Sequence, residues 1–401
     1  MMDTHYFDHV ACNPLREDVL EAMMPYFREE FGNPLSTYPL GQNARSAIES
    51  ARAEVAALIN AKPQGIIFTA SGAEANNMAL RGLALAKKDK GQHAIVSKVE
   101  HHSVLNTARF LEKSGFTVTF LSCDRHGMVD PEELRKAMMD ETVLVSVIHA
   151  SSEVGSIEPI RELASVAHEG GAAFHTDAVA TVGNIPVDVE ELGVDALSLA
   201  AHQFYGPKGA GALYVKPGTR IVPLIYGGIQ ESGRRAGTEN VPAIVGMGKA
   251  AAIAKEKLEE RMAHGRKLRD RLIEGVMKTE NMILTGHPSE RLPGHASFCA
   301  DYIEGEAMLL MLAFKGILVA SGSACSSKAL KSSPILLSMG IPTHTAQGSV
   351  VFSSGEGTTL EDVDYVINEF PQVIERLREI SPFAKDGWGD EKGGEQCTPR
   401  K

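Results

Sequence analysis

One stretch concentrates reactive chemistry: "LVASGSACSSKALKSS", residues 318–333. Cys325 sits among small Gly and Ser residues, with Lys328 and Lys331 just beyond. Small residues let a loop move and meet solvent, and nearby cations favour the thiolate, the form of cysteine that attacks or binds metals. Taken alone, the stretch reads equally well as a surface loop with an incidental cysteine. Other candidate groups follow apolar runs. In "FHTDAVATVG" (174–183) Asp177 stands at a strand end, where a carboxylate can pair with a protonated ring nitrogen or simply cap a helix. In "SKVEHHSVLNT" (97–107) His101 could stack on a planar cofactor, and a capping or surface imidazole would show the same pattern. "FTASGAEANN" (68–77) reads as strand, turn at Gly72-Ala73 and helix start, a set of backbone N–H groups suited to phosphate. A plain strand-to-helix turn would look similar. "YGGIQESGRRAGTENV" (226–241) carries Arg235 and Thr238 and could meet an anion or lie exposed. In "SLAAHQFYGPKGAGALYV" (198–215) an apolar run through Ala200 ends at His202-Gln203, and a glycine-rich turn returns the chain into another strand.

The elements that would position these groups alternate from about residue 42 to residue 215. "QNARSAIESARAEVAALIN" (42–60) places Ala44, Ala47, Ile48, Ala51, Val55 and Leu58 near one helical face. "GIIFTA", "HAIVSK", "TVTFLS", "VLVSVIHA", "AAFHTDA" and "ALSLAAH" are short, nearly continuous apolar runs. That pattern predicts strands buried on both faces, as in a parallel sheet covered by helices, with ligands at the strand ends. Residues 240–277 read as one long helical stretch bridging to a smaller domain, with strands near 295–300 and 317–320 and a helix over 360–379. The Gly-rich polar tail from about 384 to 401 is expected to be disordered.

A chain of 401 residues has room for two domains and a sizeable core. Its net charge of −11 argues against a nucleic-acid partner. No apolar run is long enough to span a bilayer, and the N-terminal stretch lacks the basic and apolar parts of a secretion signal. The five cysteines, Cys12, Cys123, Cys299, Cys325 and Cys397, are scattered and odd in number. A reduced, cytoplasmic setting is expected, in which a special cysteine would be reactive or metal-bound.

The order and spacing of these motifs resemble the cysteine desulfurases of the NifS/IscS type, within the class V aminotransferase superfamily. The resemblance runs from "FDHVACNP" to "VIERLREISP" and includes "EEFGNPLS", "GPKGAGALYV", "VGMGKAAAIAKE" and "YIEGEAML". It implies an α/β chain of fold-type I, a pyridoxal phosphate (PLP)-dependent transferase with a large, mainly parallel-sheet domain and a smaller α+β domain. The expected division is 16–260 for the large domain, with 1–15 and 261–383 forming the small domain that carries the cysteine loop. The resemblance also implies a homodimer, L-cysteine as sulfur source, and an iron–sulfur scaffold or other sulfur-acceptor protein as partner. Cys325 matches the family cysteine that receives sulfur as a persulfide. Asp177 matches the carboxylate beside the pyridine nitrogen, His101 the stacking imidazole, and His202 the residue before the cofactor lysine. Arg235 and Thr238 match the loop that reaches the neighbouring subunit's phosphate.

Several positions depart from the family. Gln203 stands where the lysine holds the cofactor, and an amide cannot form that bond. Ala73 replaces a phosphate-binding Thr, Ala200 a Ser, Ser151-Ser152 an Asn pair, Ala180 a ring-contacting Gln, and Val351 the Arg that holds the substrate carboxylate. Each lost charge-assisted contact removes roughly 1.5–3 kcal/mol, and all fall on one ligand and its substrate. The expectation is a desulfurase homologue in sulfur mobilisation or iron–sulfur assembly that keeps Cys325 and has lost standard PLP chemistry, PLP being absent or held noncovalently. Two alternatives stand beside it. One is an active desulfurase with unusually held PLP, through Asp177 and His101 or by rescue on Lys208. The other is a noncatalytic partner or a metal- or cluster-binding protein. His9 and Cys12 stand where the family has Tyr and Thr, so Cys12 with Cys325, His101 and His202 could ligate zinc or an iron–sulfur cluster. A cysteine filling a small core space is the simpler reading of Cys12.

Overall fold

The computed structural model describes residues 4–322 and 332–381. The expected tail, and Cys325 with Lys328 and Lys331, lie outside the described residues. In chain order the strands are β1 (His5–Tyr6), β2 (Ile66–Thr69), β3 (His93–Ser97), β4 (Thr117–Leu121), β5 (Thr142–Ser146), β6 (Ala173–Asp177), β7 (Ala196–Ala200), β8 (Gly211–Val215), β9 (Met282–Leu284), β10 (His295–Ala300), β11 (Ile317–Leu318) and β12 (Ser349–Ser353).

β2 to β8 form one seven-stranded sheet in the order β2-β8-β7-β6-β5-β3-β4. Its central pairs run parallel, and β8 alone is reversed, pairing antiparallel with both β2 and β7. β2, β3 and β5 to β8 are buried along their whole length, which is why their sequences are apolar without alternation. The helix Pro39–Leu58 buries Ala44, Ile48, Ala51 and Val55 on one side of this sheet. The helix Gly72–Ala86 covers the other side with Met78, Leu80 and Leu83.

The apolar runs overshoot the strands at their C-terminal ends. β7 stops at Ala200, and Ala201–Phe204 coil into a 3-10 turn that ends on Tyr205 in a left-handed conformation, φ +66°. Apolar side chains there still pack on the core, so hydrophobicity continues after the ladder has ended. The long stretch 240–277 is two helices, Val241–Glu256 and Leu258–Val276, joined at Lys257. The break follows the packing: the first helix lies in the core of the large sheet, and the second buries Leu268, Leu272 and Val276 in a separate cluster. That second cluster surrounds an antiparallel sheet ordered β12-β10-β9 and the helix Leu360–Ile380. Phe7 beside β1 joins it, its ring edge-on to Phe352 at 6.0 Å, and Phe352 in turn meets Phe298 and Phe370. The N-terminal segment thus crosses back to the small lobe, and β1 pairs with β11 in parallel.

Candidate functional site

The C-terminal ends of β2, β3, β6 and β7 bring the sequence candidates to one edge of the large sheet, where open parallel sheets place ligands. Asp177, 3% exposed at the end of β6, accepts from Asn76 Nδ2 at 2.6 Å and from the Val179 N–H at 3.0 Å. Burial pushes its pKa up, while those hydrogen bonds and the charge of His101 pull it down. Asn76 spends its second N–H on Ser103 Oγ at 2.8 Å, and its buried Oδ1 has no partner. Neither Asn76 nor Ser103 stood out in the sequence. The signal for Asn76 was its place one helical turn after Gly72, on the face that β6 covers.

His101 is exposed and caps the helix His102–Lys113, its Nδ1 accepting from the Ser103 N–H at 3.1 Å and meeting Ser103 Oγ at 2.7 Å. The helix Gly72–Ala86 begins on Ser71, whose Oγ accepts from the Glu74 N–H at 3.1 Å and whose carbonyl takes the Ala75 N–H. The N–H groups of Gly72 and Ala73 are first-turn donors without an intrahelical acceptor. Gly72 has to be glycine, since a Cβ would sit 2.5 Å from Val179 Cγ2. Ala73 is exposed and offers no hydroxyl, and Ala180 and Ala200 are buried methyls. Arg235 binds Glu74, Nε to Oε1 at 2.9 Å, so within one chain it lies at this same helix start. Thr238 lines a cavity of about 220 Å³ together with Thr69, Gly209, Glu231 and Arg235.

Gln203 is 3% exposed. Its Nε2 donates to the Val10 carbonyl at 2.6 Å, and its own carbonyl accepts from Asn13 Nδ2 at 2.9 Å. Asn13 Oδ1 meets His9 Nδ1 at 2.6 Å, and the Asn13 N–H reaches the His202 carbonyl at 3.3 Å. The amide at position 203 is thereby a strut between the N-terminal segment and the β7–β8 turn. His202 is half-buried, and burial and the nearby Lys208 lower its pKa. Lys208 itself is exposed.

The remaining replacements are also structurally occupied. Ser151 Oγ accepts from the Glu153 and Val154 N–H groups at 3.3 Å, and the Ser152 carbonyl accepts from His295 Nε2 at 3.0 Å. Val351 is buried in β12 and exchanges backbone hydrogen bonds with Ala320, which sets the start of the Cys325 connection beside β12. Cys12 is partly exposed, its Sγ 3.4 Å from the Asn13 carbonyl. Among the described residues no three His, Cys, Asp or Glu side chains form a metal-holding group. Cys123 and Cys299 are pushed up to about 11 and about 12, mainly by burial, so both thiols stay protonated near neutral pH.

Buried acids line the same end of the sheet. Glu100, whose Oε1 accepts from Ser97 Oγ and from the Ile148 N–H, has its pKa raised by burial, with Asp177 and Glu158 adding to the rise. Glu158 accepts from the Val129 N–H at 2.8 Å and is pushed up to about 8 by burial. A carboxyl whose folded pKa exceeds its unfolded value supports the fold below the unfolded pKa, and that support is lost as pH rises through the folded pKa. For Glu158 the window runs from its ordinary 4.5 to about 8. Glu158→Gln keeps an acceptor for Val129 and removes the titration. Its melting temperature is expected to match the parent's near pH 5 and to exceed it by several degrees above about pH 8. A parent that melts higher at the alkaline end would contradict this.

Comparison with known proteins agrees with the fold. The model of the family described as aminotransferase class-V matches residues 5–366. The chain is 50% identical over 382 residues to the cysteine desulfurase IscS of Dictyoglomus turgidum, covering 95% of this chain and 97% of that one. It is 48% identical over 378 residues to the cysteine desulfurase IscS of Methanosarcina thermophila, covering 94% of each. Among solved structures, a NifS-like protein superposes with TM-score 0.87 at 35% identity, covering 94% of this chain and all of that one. SspA in complex with cysteine superposes with TM-score 0.79 at 32% identity over 89% of this chain. With the mainly parallel large sheet and these matches along nearly its whole length, the chain belongs to the class-V aminotransferase family, with close homologues named cysteine desulfurase.

Proposed function

We propose that this protein works in sulfur mobilisation for iron–sulfur assembly, carrying sulfur on Cys325, and that lysine-based PLP chemistry has been lost from its large domain. The observation that carries this reading is the Gln203 amide, buried and already engaged with the Val10 carbonyl at the position where the family has its lysine. The relatives' names, cysteine desulfurase, support the sulfur half of the proposal with L-cysteine as the ultimate source, and the proposed destination is a sulfur-acceptor or scaffold protein. The division into 16–260 and 1–15 with 261–383 fits the two separate apolar clusters. A homodimer fits the exposed apolar side chains Phe27, Phe31, Leu35, Tyr38, Tyr226 and Ile229, which a partner subunit would cover. Among the described residues no helix is long and apolar enough to cross a membrane.

The residues present fit the ring and phosphate of PLP in part. Asp177, ordered by Asn76, could face a protonated ring nitrogen, and the Gly72 and Ala73 N–H groups could face an anion. They do not fit a cofactor held on lysine, because position 203 carries an amide already bonded to the Val10 carbonyl. That partial fit is what favours the second reading, a desulfurase that binds PLP reversibly. In the sulfur step proposed here, the Cys325 thiolate attacks the terminal sulfur of a donor persulfide. A new Sγ–S bond forms as the donor's S–S bond breaks, and the donor leaves as a thiolate that takes up a proton. A scaffold that then binds the loaded thiol would receive sulfur or share a cluster with it.

The test is a comparison on one preparation. The protein is incubated with a small persulfide donor, or with L-cysteine and added PLP, and alanine and protein-bound sulfur are measured. Sulfur on Cys325 from the donor, with alanine release at background, is the expected outcome. Alanine release at the rate of a lysine-bearing relative run in parallel would replace this reading with the active enzyme.

A further inference from the structure

Glu153 lies in the turn Ser151–Gly155, two residues beyond the site position Ser151, and no part of the sulfur step uses it. Its Oε1 is buried without a hydrogen-bond partner, and burial pushes its pKa up to about 7. Two segments meet on this carboxyl. Gly322 packs directly against it, so that a Cβ there would overlap the carboxylate. Ser333, fully buried, lowers its pKa through a side-chain hydrogen bond. Ser333 also caps the helix Pro334–Ser338, its Oγ accepting from the Ile335 N–H at 3.1 Å and the Leu336 N–H at 3.3 Å. A hydroxyl has two acceptor positions and one proton. The cap uses both acceptor positions, which leaves the proton for Glu153. Val154, next in the chain, packs with Cys299, Leu336 and Met339, so the same turn also supports the helix from below.

Gly322 and Ser333 are the flanks of the connection that carries Cys325. We propose that Glu153 is the positioning residue of that connection: one buried carboxyl accepts a hydrogen bond from the Ser333 hydroxyl, packs on Gly322, and so fixes the two described flanks between which Cys325 lies in the sequence. The proposal rests on the sulfur-carrying reading above for its importance, not for its geometry. A carboxylate is a stronger acceptor than a carboxylic acid, so the Ser333 contact tightens as pH rises through about 7. Among the described residues, Cys123 packs against the same cluster as Val154 and is pushed up to about 11, so it stays neutral, and three further titratable groups face this turn. Cys299 on β10 is pushed up to about 12, His295 on β10 is lowered to about 3 and binds the Ser152 carbonyl, and Arg291 binds the Val154 carbonyl. None of the three changes charge near neutral pH.

The test uses the full chain and two variants, Glu153→Gln and Glu153→Ala. Amide exchange of the 333–339 peptide and the iodoacetamide alkylation rate of Cys325, read against Cys12 in the same digest, are measured from about pH 6 to pH 8.5. Glu153→Ala is expected to raise exchange at the Ile335 and Leu336 amides about tenfold and to shift the Cys325 to Cys12 ratio, as loss of one hydrogen bond would. Glu153→Gln retains an acceptor and is expected to keep the protection while losing the parent's pH step near 7. A pH step that persists unchanged in Glu153→Gln overturns the proposal, and this arm stands even where the alanine variant fails to fold. So does a folded Glu153→Ala with exchange and alkylation within twofold of the parent. Both readouts need no sulfur transfer: a parent that never loads sulfur sinks the functional reading and leaves the positioning role standing or falling on its own.

Discussion

Replacing Gln203 by lysine alone is expected to leave alanine release from L-cysteine at background, at least about 10³-fold below a lysine-bearing relative assayed beside it. The single change restores an amine and nothing else. Val351 still presents a methyl surface in β12, and Ala180 and Ala73 still offer no hydrogen bond. Ser151 remains committed to the Glu153 and Val154 N–H groups. Groups that act as one unit are strongly non-additive, so one restored part does not recover the whole. The variant is also expected to melt a few degrees lower. Gln203 is buried, and its amide bonds the Val10 carbonyl while Asn13 bonds the Gln203 carbonyl. A lysine would put a cation into that enclosed space, with a desolvation cost the amide does not carry. Efficient alanine release from the single variant, with an unchanged melting temperature, would show that the other replacements matter little.

Cys325→Ser is expected to remove sulfur loading and any cluster-dependent protection, with at least about a tenfold loss on exposure to a persulfide donor, while Cys397→Ser changes neither. The other thiols are poor substitutes. Cys299 and Cys123, at about 12 and about 11, hold thiolate fractions on the order of 10⁻³ or less near neutral pH. Cys12 is partly exposed and is the thiol to watch as a competing site. Persulfide mapping by mass spectrometry decides between them. Equal loading and partner binding in Cys325→Ser and parent would remove the sulfur-transfer reading and favour a structural partner.

Much of the large lobe was legible because burial on both faces makes a strand apolar without interruption, as in "HAIVS" and "FHTD". Strand ends were less legible. The run through Ala201 stays apolar because its side chains pack on the core after the β-ladder has stopped. The break at Lys257 has no Pro or Gly to announce it, since it follows from two helices joining two different clusters. At the site, Asp177 and His101 could be named from strand ends. Asn76, Asn13 and Glu153 could not, because each acts on a partner more than a hundred residues away: Asp177, Gln203 and Ser333. The strut at Gln203 is the clearest case. The sequence shows only that an amide has replaced an amine, and the fold adds that the side-chain amide ties Val10, and the residue's backbone carbonyl ties Asn13, to the β7–β8 turn.

The most direct measurement is the intact mass of the purified protein after incubation with PLP and borohydride reduction, followed by peptide mapping. The expected mass is that of the unmodified chain, with no cofactor-sized increment on any lysine, because Gln203 cannot form the bond and its buried amide is already engaged with the Val10 carbonyl. A stoichiometric increment mapped to Lys208 or to any other lysine would contradict the loss of lysine-held PLP chemistry.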